Sequence, residues 1–247
     1  LIIIPTRMSS SRFPGKPLIN IEGKTMLERV WSLAKKANIG DVYVACCDKK
    51  IKDLLIEKNI PYIFTRKNLK SGTDRVYNAF QKIKDRASYN LVINLQGDIP
   101  FFNPNYLIRL YNLFKLDNYK MATLASPIKE KGKINDPNIV KIAMARYKNN
   151  AFKALYFSRL PIPHGSKNYY EHVGIYAYNP KTLKDYVSMR TSKLENSERL
   201  EQLRALENLV DIYWIITDHH PSLLVYKLIW WVHGLLILGF LILIPKT

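Results

Sequence analysis

The run RMSSSRFPGKP (7–17) carries two arginines, a lysine and three consecutive serines, and it leaves directly from the apolar LIII (1–4). Cations, hydroxyls and free amides just past a strand neutralise and hydrogen-bond a polyphosphate. Arg7, Ser9, Ser10, Ser11, Arg12 and Lys16 are therefore candidate phosphate ligands. Gly15 lets the chain turn tightly, and Pro14 and Pro17 stiffen it. The loop is not a P-loop, because no G-x-x-x-x-G-K-[ST] is present. A second motif, LQGDIP (95–100), offers Asp98, a lone carboxylate of the kind Mg²⁺ takes beside phosphate oxygens and water. Gln96 could read a base edge through its amide. A third, SGTDR (71–75), opens a helix whose free amides, with Arg75, suit an anion. Each motif also has a plain reading: a basic surface loop, a turn with a capping Asp, an ordinary N-cap.

These groups need a frame that brings them together. LIII, DVYVACC (41–47), PYIFT (61–65) and NLVINLQ (90–96) read as short buried strands. Helical patterns separate and follow them: TMLERVWSLAKKA (25–37), KIKDLLIEK (50–58), SGTDRVYNAFQKIKDRA (71–87) and NPNYLIRLYNLFK (103–115). In the first, Thr25 and Glu28 stand at capping-box spacing, and Met26, Leu27, Val30, Leu33, Ala34 and Ala37 share a face. In the third, Val76, Ala79, Phe80, Ile83 and Ala87 point inward. Strands alternating with helices predict a parallel sheet covered on both faces. Such sheets bind ligands beyond the strands' carboxyl ends, where the opening loop and Asp98 both lie.

Past residue 120 the pattern changes. MATLASPI (121–128), NIVKIAMA (138–145), KALYFSR (153–159) and HVGIYAYN (172–179) read as strands with irregular links. They suggest an antiparallel subregion inserted in or appended to the main sheet. Helices over KTLKDYVSM (181–189) and SERLEQLRALEN (197–208) and a late strand, DIYWIIT (211–217), complete the pattern. There is no internal repeat and no linker between independent domains.

The 247 residues suffice for one large α/β domain or two small ones, and 47% hydrophobic content excludes a disordered chain. A net charge of +18 favours a polyanionic partner: a nucleotide, a nucleic acid or an anionic membrane. Biased use of Lys, Asn, Ile and Tyr accounts for the same charge without function. The cations are scattered and no nucleic-acid motif appears, so nucleic-acid binding ranks last among the functions considered. Cys46 and Cys47 are neighbours on a strand and point to opposite faces. They read as buried thiols in a reducing compartment. No signal peptide is visible, and a start at Leu1 reads as the loss of a residue or two.

IIIPTRMSSSRFPGKPL, KSGTDRV, NLQGDIPF, ALYFSR, HVGIYAY and LEQLRALE stand in an order and spacing that resembles the 3-deoxy-D-manno-octulosonate (Kdo) cytidylyltransferases over about residues 1–220. The opening loop indicates the wider sugar-nucleotide transferases; YFSR and H-x-G-I-Y point to the Kdo enzymes among them. The resemblance implies an α/β fold: a three-layer, Rossmann-like nucleotidyltransferase sheet, mostly parallel, with an antiparallel dimerisation subregion at about 120–190 inside a catalytic domain of residues 1–221. It implies a cytoplasmic homodimer that makes CMP-Kdo for lipopolysaccharide synthesis from CTP and Kdo, with Mg²⁺ as cofactor. By the same resemblance Arg7, Ser11, Arg12 and Lys16 match triphosphate-loop positions, Arg75 and Gln96 lie on the CTP side, and Asp98 is a metal ligand. Arg12, Lys16 and Asp98 would carry the catalysis. Arg159, His172, Tyr176 and Gln202 match the sugar-acid side, with Arg159 suited to the Kdo carboxylate. Read alone, His172 and Tyr176 are equally packed strand residues, and Arg159 a structural ion pair.

Three departures from the family pattern stand out. Ile99 replaces an acidic residue after Gly-Asp, and VACCD replaces VATDD, so that Cys46 and Cys47 fall near the expected cytosine side. The family's terminal V-D-T-P-E-D-L-like stretch, whose first Asp is a second metal ligand, is missing. After DIYWIITDHHP the chain becomes an atypical apolar tail, 222–247, in which 223–244 is long enough to cross a bilayer. Asp218, His219 and His220 are weak substitutes as ligands. The tail reads as a foreign C-terminus, for example from a shifted reading frame, with a membrane anchor as the competing expectation. The alternatives kept open are a catalytically impaired or membrane-attached nucleotide-binding relative, and a cytidylyltransferase for another sugar acid such as a sialic acid.

Overall fold

A computed structural model describes residues 1–9, 15–148 and 151–218. The triphosphate-loop residues Ser11 and Arg12, the pair His219 and His220, and the apolar tail 222–247 lie outside the described residues.

The chain opens with β1 (Ile2–Pro5), fully buried as four consecutive apolar residues demand. A short hairpin, β2 (Asn20–Ile21) and β3 (Lys24–Thr25), leads into α1 (Met26–Lys36). The expected capping box forms: the Glu28 amide donates to Thr25 Oγ1 and the Thr25 amide to Glu28 Oε2. Then come β4 (Val42–Cys46), α2 (Lys49–Glu57), β5 (Tyr62–Phe64), α3 (Gly72–Lys82), β6 (Val92–Leu95) and α4 (Asn105–Leu116). The second half supplies β7 (Met121–Pro127), β8 (Lys141–Arg146), β9 (Phe152–Ser158) and β10 (Tyr170–Tyr178). It closes with α5 (Pro180–Ser188), α6 (Lys193–Glu198), α7 (Leu203–Glu207) and β11 (Ile212–Ile216).

Among the described residues one nine-stranded sheet runs β5-β4-β1-β6-β10-β7-β11-β9-β8. The sheet is mixed, not mostly parallel. β5, β4, β1 and β6 pair in parallel, as their intervening helices require. From β10 onward the ladders are antiparallel except between β7 and β11. The short connections around β8, β9 and β10 leave no room for the crossovers that parallel pairing needs. The antiparallel strands thus extend the main sheet. The start of the chain feeds two cores: Ile2 and Ile4 of β1 join apolar residues of α1, α2 and α4, while Ile3 of β1 and Leu1 just before it join those of α3, α5 and α7. In α1 the face expected from the sequence is the buried one, with Leu33 at its margin.

Two helices depart from expectation. The helix expected over 71–87 stops at Lys82, where Ile83 turns extended (φ −76°, ψ 126°), and Ala87 is exposed in a short 3-10 turn. Lys84, Asp85 and Arg86 have no core to bury and nothing to hold the helix on. The helix expected over 197–208 splits into α6 and α7 at Arg199, whose φ is +55°. The break turns Leu200 and Gln202 inward, and both are buried.

Candidate active site

The carboxyl ends of β1 and β6 and the amino end of α3 meet at an open cleft of about 290 Å³. From β1 the chain delivers Thr6, Arg7 and Ser9 to its wall, and Lys16 and Pro17 return from the far side of the loop. α3 contributes Ser71, Gly72 and Arg75; the segment after β6 contributes Gln96, Gly97 and Asp98. The three polar motifs of the sequence therefore converge on one cavity. Arg7, Lys16, Arg75, Gln96 and Asp98 line it; Arg159, His172, Tyr176 and Gln202 are not among its lining residues.

Local structure explains the convergence. Gly97 passes so close to β1 that a Cβ there would lie 3.2 Å from the Pro5 carbonyl oxygen, so a side chain would push Asp98 away from the β1 loop. Gly15 takes φ +78°, which closes the loop back toward Lys16, and its amide donates to the Met8 carbonyl at 3.1 Å. The Met8 amide donates to Asp48 Oδ2 at 2.9 Å, tying the start of the loop to the end of β4. Ser71 caps α3 by accepting from the Asp74 amide, while Asp74 accepts from the Ser71 amide. The capping thereby places the first turn of α3 against the cleft.

The charged groups are held in different ways. Lys16 Nζ donates to Asp98 Oδ2 at 2.8 Å, and the Asp98 side chain is 53% exposed. Arg75 is buried at 2% exposure, donating from Nη1 to Thr65 Oγ1 (2.6 Å) and to the Arg66 carbonyl (3.1 Å). It is a fixed charge in the wall, whereas Lys16 is held by its pair with Asp98 alone among the described residues. Gln96 Nε2 reaches Asn94 Oδ1 at 3.4 Å, and the buried Asn94 donates in turn to Thr73 Oγ1.

A second group of polar side chains lies along β10 and α7. Tyr176 stands in register with Asn94, beside the Gln96 network, and its ring is 5.2 Å from that of His172. His172 Nε2 and Thr123 Oγ1 are 3.0 Å apart. Burial pushes the Tyr176 hydroxyl well above its ordinary range, so it stays neutral. Gln202 is buried, and its Nε2 has no hydrogen-bond partner among the described residues. Arg159 sits at the exit of β9, its guanidinium donating to the carbonyls of Glu198, Pro137 and Arg199.

Two residues that sequence reasoning passed over belong here. Thr6 lines the cleft, and its buried Oγ1 has no partner among the described residues. Ser71 Oγ donates to Glu201 Oε1 at 3.1 Å, so Glu201, whose carboxyl burial pushes upward, joins the cleft wall to the α7 side. Its signal was hidden in LEQLRALE, which reads as an amphipathic helix. Of the altered positions, Ile99 packs into the core beside α4, Cys46 is buried with its thiol pushed up to about 12, and Cys47 is only half-buried, its Sγ 3.4 Å from Asp48 Oδ2. The expectation that both thiols are buried therefore holds for Cys46 alone. Asp218 is exposed.

A family model described as Cytidylyltransferase matches residues 1–212. The chain belongs to the cytidylyltransferase family. Within it, the chain is 41% identical to the 3-deoxy-manno-octulosonate cytidylyltransferase of Bartonella bacilliformis, covering 90% of this chain and 95% of that one. It is 38% identical to the protein of the same name from Rickettsia prowazekii, over 89% and 87% of the two chains. A solved structure of CMP:2-keto-3-deoxy-manno-octonic acid synthetase complexed with CTP superposes with a TM-score of 0.82 at 32% identity, covering 95% of this chain and 98% of the other. A thymidylyltransferase structure from Bacillus anthracis superposes at TM-score 0.56 and 14% identity, which shows a shared fold alone. The family match thus takes in the sheet as far as the first residue of β11 and every described residue of the cleft.

Proposed function

We propose that this chain transfers CMP from CTP to the anomeric hydroxyl of Kdo and releases pyrophosphate. The observation that carries the reading is the meeting of Arg7, Lys16, Arg75, Gln96 and Asp98 in one cleft at the strands' carboxyl ends. The anomeric oxygen of Kdo bonds to the α-phosphorus of CTP, the bond from that phosphorus to the bridging oxygen breaks, the hydroxyl proton is lost, and pyrophosphate leaves with the bonding electrons.

Each group then has a task. Arg75, fixed by Thr65 and Arg66, offers positive charge at no reorganisation cost when the phosphates arrive. Arg12 stands between Arg7 and Lys16 in the same loop, and with Lys16 it neutralises charge growing on the departing pyrophosphate. Gln96 is assigned to the cytidine and Ser11 to the triphosphate. Arg159, His172, Tyr176 and Gln202 are assigned to the sugar acid, with Gln202 Nε2, which has no partner among the described residues, able to donate to a hydroxyl or carboxylate.

Asp98 suits Mg²⁺: it is a half-exposed lone carboxylate, and this ion takes one or two carboxylates with phosphate oxygens and water. Among the described residues no three His, Cys, Asp or Glu side chains cluster to hold a metal on their own, so most ligands must come from the nucleotide. Asp98 would help to hold the ion, which would supply positive charge against the phosphates. Lys16 would then exchange Asp98 for phosphate.

The catalytic unit is assigned to residues 1–221, with the apolar tail outside it, and the two free cysteines suit a cytoplasmic setting. A homodimer is supported by Leu155 and Leu160, which are 56% and 70% exposed on and just after β9 in the antiparallel region. Among the described residues no helix is long and apolar enough to cross a membrane. Pyrophosphate release from CTP and Mg²⁺, measured with Kdo and with N-acetylneuraminate, tests the reading: turnover with Kdo supports it, and turnover with the sialic acid alone replaces it.

A further inference from the structure

Lys141 is an unusual lysine. It is completely buried, at 0% exposure, and among the described residues no carboxylate pairs with its ammonium. Its Nζ donates instead to three backbone carbonyls: Asp136 at 2.8 Å, Ile139 at 2.8 Å and Arg159 at 2.6 Å. A buried cation survives only when its donors are satisfied, and three carbonyls match the three protons of an ammonium. Burial still pulls its proton affinity below the ordinary lysine value, with Asp136 and Glu198 opposing the shift and Arg159 adding to it. A leucine or methionine would fill the same space without this cost. The position therefore uses the charge for its hydrogen-bonding geometry.

That geometry joins the two strands that carry the proposed sugar-acid residues. The Arg159 carbonyl is one of the three acceptors, and the Arg159 guanidinium reaches back to the Pro137 carbonyl in the same short segment, 136–140. The Val140 carbonyl of that segment accepts the His172 amide at 2.8 Å. Lys141 also stands opposite Ser158 on β9 and opposite Glu171 on β10. On the other side, Glu198 accepts from the Arg159 amide (2.9 Å) and from Ser158 Oγ (2.6 Å). The segment 136–140 is thus a knot between Arg159 and His172, and Lys141 is its centre.

We propose that Lys141 is a positioning residue for the sugar acid, setting the spacing of Arg159 and His172 through the carbonyls of Asp136, Ile139 and Arg159. The inference rests on the assignment of Arg159 and His172 to that substrate. It concerns KM for the acid, because Lys141 lies outside the residues that line the nucleotide cleft.

Steady-state kinetics of the full chain test it, with CTP and Kdo varied separately in Lys141→Met, Lys141→Arg and Arg159→Met. Losing a hydrogen bond made by a charged group costs about tenfold or more in the equilibrium it supports. The expected result for Lys141→Met is a rise of that size in KM for Kdo, with KM for CTP and kcat within about a factor of two, the span over which separate sites act independently. Lys141→Arg, which keeps the charge and its donors, regains most of the loss. If Lys141→Met does not fold, Glu198→Gln, which loosens the opposite side of Arg159, takes its place and is expected to show the same split. An unchanged KM for Kdo in Lys141→Met while Arg159→Met raises it overturns this inference alone. An unchanged KM for Kdo in Arg159→Met overturns the assignment of Arg159 and the inference with it. A parallel loss in both substrates and in kcat shows a merely structural role and also overturns it.

Discussion

Stability and activity separate at Asp98. Its ion pair with Lys16 is short, but the carboxylate is half-exposed, and such a pair contributes only ~0–1 kcal/mol to folding. In catalysis the same carboxylate would organise the phosphates in a confined site, where losing one charged group costs about 10²- to 10³-fold in rate. Asp98→Asn is therefore expected to lose turnover by that order while its thermal midpoint stays near the parent's; a large drop in midpoint would mark Asp98 as structural. Asp98, Lys16, Arg75 and Gln96 were legible because each sits in a short polar motif beside an apolar strand. Glu201, Thr6 and Lys141 were not. Their importance comes from burial among residues distant in sequence, which the strand pattern of NIVKIAMA does not reveal for Lys141.

At the scale of elements, β10 carries a titration of its own. Glu171, opposite Lys141 and Ser126 in the sheet, is 7% exposed. Burial raises its carboxyl from 4.5 to about 7, with Lys133 opposing and Glu130 adding to the shift. The folded chain therefore keeps a proton that the unfolded chain has released between those two values. The stability tied to this proton is full below about pH 4.5 and is lost as pH rises toward 7, a change on the order of 3 kcal/mol at most. Glu171→Gln should flatten that slope: urea midpoints should match the parent's near the acid end of the window and exceed them above it. Parallel curves for the two proteins would contradict this. The elements themselves were mostly legible from periodicity. The split between α6 and α7 was not, because a left-handed Arg199 is set by the inward turn of Leu200 and Gln202, and sequence spacing carries no trace of it.

For the whole molecule, the parallel half of the sheet followed from alternating strand and helix patterns, and the mixed half did not. Strand spacing identifies β7 to β10, but their order depends on which faces they bury, and β10 inserts between β6 and β7 ahead of its neighbours in sequence. The net charge of +18 also acts at this scale. A cationic surface around a basic cleft attracts CTP, which carries several charges, more strongly than Kdo, which carries one carboxylate. Raising salt from about 0.05 to 0.5 M shortens the screening length from about 14 to 4 Å. KM for CTP is expected to rise several-fold over that range and KM for Kdo to rise less, as initial rates at saturating co-substrate will show. Equal rises would assign the charge no role in nucleotide capture.

The account stands most directly on where one phosphorus atom goes. With CTP labelled at the α-phosphate, excess Kdo and Mg²⁺, the label is expected in a CMP-sugar acid, with pyrophosphate formed in equal amount and both products formed about 10²- to 10³-fold more slowly by Asp98→Asn. Label that stays in CTP while the nucleotide binds the cleft, or that appears as free CMP without a sugar-acid conjugate, would contradict it.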